Sequence, residues 1–237
     1  MRRNTLSCDA VVHLQGFPCE NKCTFCRYAK LGSSTKSAVD WSEAIECFEN
    51  VEFRGAEPLL WPDIFKLLRF RDRPGDIVYT HLPWDGFCAL RQLPPQKKLF
   101  VAVFHPLAMG GNHQFVSFYD RAWRLADAGY NVQVLSRVPV TLHPELANSK
   151  GWDPSPMGVE IVYRNQPVYD FLTRKNARKR CPSMALSIAP DGNIFSCEHA
   201  MLYSREVDSE AVVLGSVWDD EELEQEACRI NYCTAMR

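Results

Sequence analysis

The sequence has no apolar run of the roughly 20 residues that a membrane-spanning helix needs. Its opening residues, Met1-Arg2-Arg3-Asn4-Thr5, lack the apolar core of a secretory signal. No charge of one sign dominates. With 27 basic and 29 acidic residues and a net charge of −2, nothing global draws the chain onto nucleic acid or anionic lipid. Internal repeats and low-complexity tracts are missing too, which excludes repeat arrays and disordered tails. These absences point to a globular cytoplasmic protein. Its 237 residues, 46% hydrophobic, suffice for one sizeable core and a small appendage.

Cysteine is what the chain has in plenty, with ten residues. A chain this long does not need disulfides, and no export signal delivers it to an oxidising compartment. Reduced thiols then either pack in the core or hold metal, and their spacing separates the two.

Strand-like runs alternate with helical patterns through most of the sequence. The expected strands are Ala10–Gln15, Val51–Arg54, Asp76–Thr80, Leu99–Phe104, Val132–Val138 and Val159–Tyr163. Several are near-continuous β-branched or aromatic runs, as in parallel strands covered on both faces. Trp41, Ala44, Ile45 and Phe48 share one helical face, with Asp40 and Glu43 at its start. Phe115, Phe118, Tyr119, Ala122 and Ala126 repeat the pattern, and Gly129 stands where that helix should stop. A further helix is expected to open at Pro62 and to carry Ile64, Leu67 and Leu68. Six strands with intervening helices make an α/β array, an open sheet or a partial barrel, with its site at the carboxyl ends of the strands.

The pattern changes near Thr173. Five of the seven residues from Arg174 to Arg180 are basic, and Cys181 follows. Residues 185–189 and 193–196 then flank Pro190-Asp191-Gly192, which reads as a hairpin turn. A short strand, Val212–Leu214, and an acidic helix from Asp219 complete the chain.

Cys19, Cys23 and Cys26 form a C-x3-C-x2-C run in the loop after the first strand. Three thiolates so close in sequence can converge on one metal centre. A cubane cluster takes four ligands, so three cysteines leave one iron open to a small molecule. A zinc site completed by a histidine such as His13 is the alternative. Core packing does not suit a loop containing Glu20, Asn21 and Lys22.

This spacing resembles the signature of the radical S-adenosylmethionine (SAM) enzymes, and Phe25 matches the aromatic residue that usually precedes their last cysteine. The resemblance implies a [4Fe–4S] cluster whose open iron is chelated by the amino and carboxylate groups of SAM. Reduction would cleave SAM to methionine and a 5′-deoxyadenosyl radical. On the second strand, Gly55-Ala56-Glu57-Pro58 resembles the family's Gly-Gly-Glu-Pro motif. It implies close backbone approach to the methionyl amine at Gly55 and Ala56, with Glu57 accepting from its ammonium. In the family the fourth and fifth strands add ribose and carboxylate contacts, and His105, Ser136 and Arg137 stand at those ends here. Arg137 could hold a carboxylate bidentately or pair structurally with an acid. Thr80 and His81 are similarly placed after the third strand, where a histidine more often completes hydrogen bonds than catalyses.

Past the boundary, Cys181 and Cys197 flank Gly192 in a C-x10-G-x4-C arrangement, with Cys228 and Cys233 downstream. This resembles the opening of the auxiliary-cluster domains of many radical SAM enzymes. The segment Val213-Leu214-Gly215-Ser216-Val217-Trp218 resembles the one that follows it there. The long cysteine run of the SPASM version is missing, so the match is to the shortened Twitch form. It implies a second [4Fe–4S] cluster, fully ligated by Cys181, Cys197, Cys228 and Cys233 and suited to moving electrons. Tetrahedral zinc is the alternative. Cys47 reads as packing; Cys8 and Cys88 have no partner at ligand spacing.

The chain therefore resembles a radical SAM enzyme with a partial (β/α)6 barrel over residues 1–172 and a Twitch-like domain over 173–237. The resemblance implies hydrogen abstraction from a small molecule or a peptide, with net oxidation aided by the auxiliary cluster. The basic segment before Cys181 reads as a solvated linker, as contact with an anionic substrate, or as a dock for an electron donor such as flavodoxin or ferredoxin. With the first strand starting about ten residues in, no leader-binding segment is expected ahead of it, which leans the reading towards a small molecule or a separately delivered peptide. A 7-deazaguanine-type ring-rearranging synthase and a non-catalytic iron–sulfur or zinc module are the other readings.

Overall fold

The computed structural model describes residues 10–16, 19, 28, 31–104, 109, 114–136, 160–163, 185–195, 198–203 and 213–218. Among them, β1 (Ala10–His13), β2 (Val51–Arg54), β3 (Ile77–Thr80), β4 (Leu99–Phe104), β5 (Asn131–Ser136) and β6 (Glu160–Tyr163) lie side by side in chain order, every neighbouring pair parallel. Helices α1 (Ala38–Ala44), α2 (Ile64–Phe70), α3 (Trp84–Leu90) and α4 (Phe115–Asp127) fill the first four crossovers. This is the expected partial (β/α)6 barrel. Beyond it, β7 (Leu186–Ile188) pairs parallel with β1, and β8 (Asn193–Phe195) and β9 (Val213–Ser216) follow antiparallel. A fifth helix, α5 (Glu198–Tyr203), separates β8 from β9. The hairpin placed on Pro190-Asp191-Gly192 is thus an extension of the barrel sheet. The expected boundary near residue 173 lies outside the described residues.

Alternation along the strands sorts their side chains between two faces. Ala10, Val12, Leu14, Val51, Phe53, Val78, Phe100, Ala102, Phe104, Val132 and Val134 join the helices in one buried core. There Phe104 meets Phe115 edge-on at 4.9 Å between centroids. Burying a side chain of this size is worth roughly 2–3 kcal/mol, so the aromatic layer under α4 is a main source of cohesion. Gly129 ends α4 as expected, at φ +90°. The alternate residues, among them Val11, His13, Glu52, Arg54, Tyr79 and Ser187, face the barrel lumen.

Some element ends differ from the sequence reading. Ser37, rather than the Asp40 region, starts α1: its hydroxyl accepts from the Asp40 amide while the Asp40 carboxylate accepts from the Ser37 amide. The helix ends at Ala44, and Ile45, Cys47 and Phe48 reach the core from the turn that follows. The helix expected at Pro62 begins at Ile64 instead. Before it, Pro58–Leu60 form a 3-10 turn capped by Glu57. Cys47 packs in the core as anticipated.

At the amino-terminal end of the barrel, Arg71, Asp76 and Lys98 are wholly buried. The Arg71 guanidinium donates to Asp76 through Nε at 2.9 Å and Nη2 at 3.1 Å, and to the carbonyls of Ile45 and Phe48. Asp76 also accepts the Val51 amide at 2.9 Å, which ties the start of β2 to the same group. At the hairpin, the Trp218 indole donates to the Asp191 carbonyl at 2.7 Å and meets Trp41 of α1 edge-on at 5.0 Å. Its ring lies where a Cβ on Gly192 would be, 1.9 Å from that position. Only a glycine turn lets the indole clasp the hairpin to the barrel.

Candidate active site

At the carboxyl ends of β1 to β3 the chain makes three tight turns that meet. After β1, Gly16 donates to the Gly32 carbonyl at 2.8 Å, Ser34 to the Leu14 carbonyl at 2.8 Å, and Gln15 bridges to Ser33. These bonds close the neck of the cysteine loop, so it leaves and re-enters the barrel at one place. A Cβ on Gly16 would lie 2.2 Å from the Tyr28 carbonyl oxygen and 2.3 Å from that of Leu31, so the neck has no room for a side chain.

After β2, Gly55 takes φ +125°, and a Cβ there would lie 2.9 Å from the Gln15 carbonyl oxygen. The left-handed conformation belongs to Gly55 alone in this motif, since Ala56 keeps a negative φ. Alanine at position 56 therefore carries no backbone strain. Gln15 Nε2 donates to the Glu57 carbonyl at 2.7 Å and locks the two turns together.

Glu57 is 1% exposed, and among the described residues the Leu59 amide, the Thr80 hydroxyl and the His81 amide donate to its carboxylate. Oε1 accepts from the Leu59 amide at 3.1 Å and from Thr80 Oγ1 at 2.7 Å; Oε2 accepts from the His81 amide at 2.6 Å. The direction of the Thr80 bond is fixed, because that hydroxyl also accepts from the Leu82 amide at 2.9 Å and has one proton to give. Leu82 sits at φ +50°, in the wall of the same cleft. Such a conformation in a branched residue costs roughly 1–2 kcal/mol and persists only where neighbours impose it.

Cys19, Glu57, His81, Trp84, Met109 and Arg121 line one cleft at this end of the barrel, together with Leu82 and Pro83. The Cys19 thiol lies 3.6 Å from the Ala56 carbonyl, so the cysteine loop and the second-strand motif converge. A thiol, a carboxylate and a guanidinium thus share the lining of one cleft. His81 donates from Nδ1 to the Val103 carbonyl at 2.9 Å, the hydrogen-bonding role expected of it. Ser136 ends β5, paired in register with Tyr163. Phe25, Cys23, Cys26, His105, Arg137, Cys181, Cys197, Cys228 and Cys233 lie outside the described residues. Arg121, Met109 and Trp84 escaped the sequence reading. Arg121 is on α4 but off the apolar stripe that marks this helix in the sequence, and Trp84 opens α3, a helix absent from the sequence reading.

Behind the cleft, in the lumen, His13 is wholly buried, with Nε2 3.6 Å from Glu198 Oε1. Burial lowers its pKa from 6.5 to about 4, opposed by the Glu198 carboxylate and assisted by Arg54. The imidazole is therefore neutral at pH 7. An unfolded chain binds this proton first, so the contribution to stability is complete above pH 6.5 and disappears as pH falls towards 4. A shift of this size is worth about 3 kcal/mol in full, and about 2 kcal/mol is lost by pH 5. Urea unfolding of wild type and His13→Gln at pH 7 and 5 checks this. The variant should lack that part of the acid-side decline, and parallel curves would refute the assignment.

Compared by sequence, the chain matches no family model and no curated protein. Compared by structure, it superposes on Streptococcus suis SuiB with a TM-score of 0.53 at 12% identity, over 83% of this chain and 61% of SuiB. The anSMEcpe structure with bound AdoMet and Kp18Cys peptide gives 0.55 at 13% identity, over 89% of this chain and 78% of that one. The chain shares their fold. It spans about 61% of the length of SuiB. SuiB bound to S-adenosylmethionine superposes with a TM-score of 0.50 at 12% identity, over 82% of this chain and 59% of that one. No helix among the described residues is long and apolar enough to cross a membrane.

Proposed function

We propose that the chain is a radical SAM enzyme whose front cluster is held by Cys19, Cys23 and Cys26. The observation that carries this reading is the convergence of Cys19 and Glu57 on one cleft at the ends of β1 and β2. Support comes from the fold shared with two proteins solved with S-adenosylmethionine or AdoMet bound. When bound, a [4Fe–4S] cluster with an open iron supplies the electron that cleaves SAM. The chain's own residues position the ligand. Glu57, oriented by Leu59, Thr80 and His81, accepts from the methionyl ammonium. Gly55 lets the backbone come close, and Arg121 pairs with the carboxylate. Phe25, Ala56, Ser136 and Arg137 complete the pocket in this reading.

Cys181, Cys197, Cys228 and Cys233 are proposed to hold a second, fully ligated cluster, which when bound would supply a one-electron acceptor for the substrate radical left by hydrogen-atom removal, making the reaction a net oxidation of a small molecule or a peptide. The Kp18Cys peptide bound to anSMEcpe supports the second substrate class. A flavodoxin or ferredoxin is the electron donor that this chemistry calls for.

Anaerobic reconstitution with iron tests both sites. About eight irons per chain are expected if both hold cubane clusters. Adding SAM should perturb the spectrum of the reduced protein, and 5′-deoxyadenosine should form only with reductant. Combined Cys19→Ala, Cys23→Ala and Cys26→Ala replacement should leave about four irons and no cleavage. Zinc at both sites and no SAM response would overturn the reading in favour of a structural metal module.

A further inference from the structure

Apart from the main core, the structure has a second, smaller apolar cluster. Leu31, Ala189, Phe195 and Met201 are its buried members, and Tyr28 packs against them. These residues come from two distant parts of the chain. Tyr28 and Leu31 belong to the carboxyl arm of the cysteine loop, and the others to β8, α5 and the turn between β7 and β8. That arm of the loop therefore packs against the C-terminal segment as well as against the barrel.

Tyr28 is where apolar and polar contacts meet. Its backbone is fixed at the neck, where its carbonyl accepts from the Leu31 amide at 2.9 Å and lies against Gly16. Its ring stacks on His13 of β1, with centroids 5.5 Å apart and planes inclined by 24°. Its hydroxyl donates to Glu198 Oε1 at 2.7 Å, across 170 positions of sequence. The other oxygen, Glu198 Oε2, lies 3.6 Å from Arg54 Nη1, and Arg54 itself pairs with Glu52 and stacks over Tyr79 at 4.4 Å. Arg54 thus holds the carboxylate from one side while the phenol takes the other. A hydrogen bond to an ionised carboxylate is roughly twice as strong as a neutral one. In sequence, Tyr28 stands two residues after Cys26, and Glu198 directly follows Cys197. One bond therefore ties together the two segments that carry the cysteine motifs.

We infer that Glu198 is a positioning residue for the front cysteine site. Through Tyr28 it holds the carboxyl arm of the loop that carries Cys19, Cys23 and Cys26, so the C-terminal segment completes a site to which it gives no ligand. A loop open to solvent has low local stability, and ordering it around a metal costs conformational entropy. A loop already pinned where it re-enters the barrel loses less on binding, and it releases its metal more slowly. The inference rests on the reading above in taking those three cysteines as metal ligands. It does not depend on which metal they hold.

Metal release to a chelator from the full, anaerobically loaded chain tests it. The phase missing from the combined Cys19→Ala, Cys23→Ala and Cys26→Ala variant belongs to the front site. Tyr28→Phe keeps the stacked ring and removes only the hydroxyl, and it should speed that phase about fivefold to tenfold. Glu198→Ala should match it to within about twofold, and the double variant should be no faster than the faster single one, since both act through one bond. Glu198→Gln keeps an acceptor oxygen for the phenol and should stay within about threefold of wild type. A purely structural tie would lower the melting temperature of metal-free and loaded protein alike. A positioning role instead shrinks the rise in melting temperature that metal brings. A front phase unchanged by Glu198→Ala, or single effects that multiply in the double variant, overturns the inference. Should Glu198→Ala not fold, Tyr28→Phe decides, and an unchanged front phase there overturns it equally. Zinc in the front site without a response to SAM would refute the enzyme reading alone. An unchanged front phase in variants that still cleave SAM would refute this link alone.

Discussion

Arg71→Leu is expected to lose about 3–5 kcal/mol of stability, the usual result of breaking a buried ion pair by removing one partner. The loss should come from what is left behind more than from the bonds removed. Asp76 is wholly buried, and burial already raises its carboxyl above the ordinary range, against the opposing pull of Arg71. Without the guanidinium, only the Val51 amide and the more distant Lys98 would face the charge. The carbonyls of Ile45 and Phe48 would each lose one donor, Ile45 keeping the Phe48 amide and Phe48 keeping Arg73. For a chain of this length the melting temperature should fall by roughly 10 °C. The sign of the pH dependence identifies the cause. A carboxyl whose folded pKa is raised contributes its full stability below the unfolded pKa and loses it as pH rises through the folded value. The gap between wild type and variant should therefore narrow in acid, where Asp76 is protonated in both states. Thermal unfolding at neutral and acid pH measures it, and a gap that widens in acid would rule out the unpaired carboxylate as the cause.

Glu57→Gln should weaken SAM binding by tenfold to a hundredfold, since a hydrogen bond to a charged group is worth roughly 1.5–3 kcal/mol. The substitution also conflicts with the protein's own geometry. Two donors converge on Oε1 and a third on Oε2, so an amide can satisfy one side only by turning its NH2 towards a donor on the other. That mismatch should cost about 1–3 kcal/mol even without ligand. Thermal unfolding without SAM and equilibrium dialysis with it separate the two effects. Unaltered SAM affinity alongside lowered stability would leave Glu57 a structural cap and nothing more.

The barrel strands were legible because parallel strands buried on both faces must be apolar throughout. Runs such as Leu99–Phe104 have few other uses. Helix ends were less so. In α1 the cap is Ser37, and the apolar residues after Ala44 keep a helical spacing although they belong to a turn. The α3 segment, Trp84–Leu90, carries Gly86 in its interior, which lowers its helix propensity, so tertiary packing imposes this helix. At the site, the motifs located Cys19, Gly55 and Glu57, because those roles depend on residue type at fixed spacing. The lumen was not legible. Glu52 and Arg54 interrupt an otherwise apolar strand, and nothing local shows that Glu198, far along the chain, comes to meet them.

The place of β7 beside β1 has a consequence for how the molecule is made. Ala10–Val12 pair with Val51–Phe53 on one side and with Leu186–Ile188 on the other. During synthesis, one edge of the first strand must wait for a segment emerging more than a hundred residues later. Until then its main-chain groups have no ladder partner, and late long-range pairing of this kind slows folding and invites association between chains. The last quarter of the polypeptide thus also seals an edge opened when the first strand forms, and shortening it would penalise solubility before it touched chemistry.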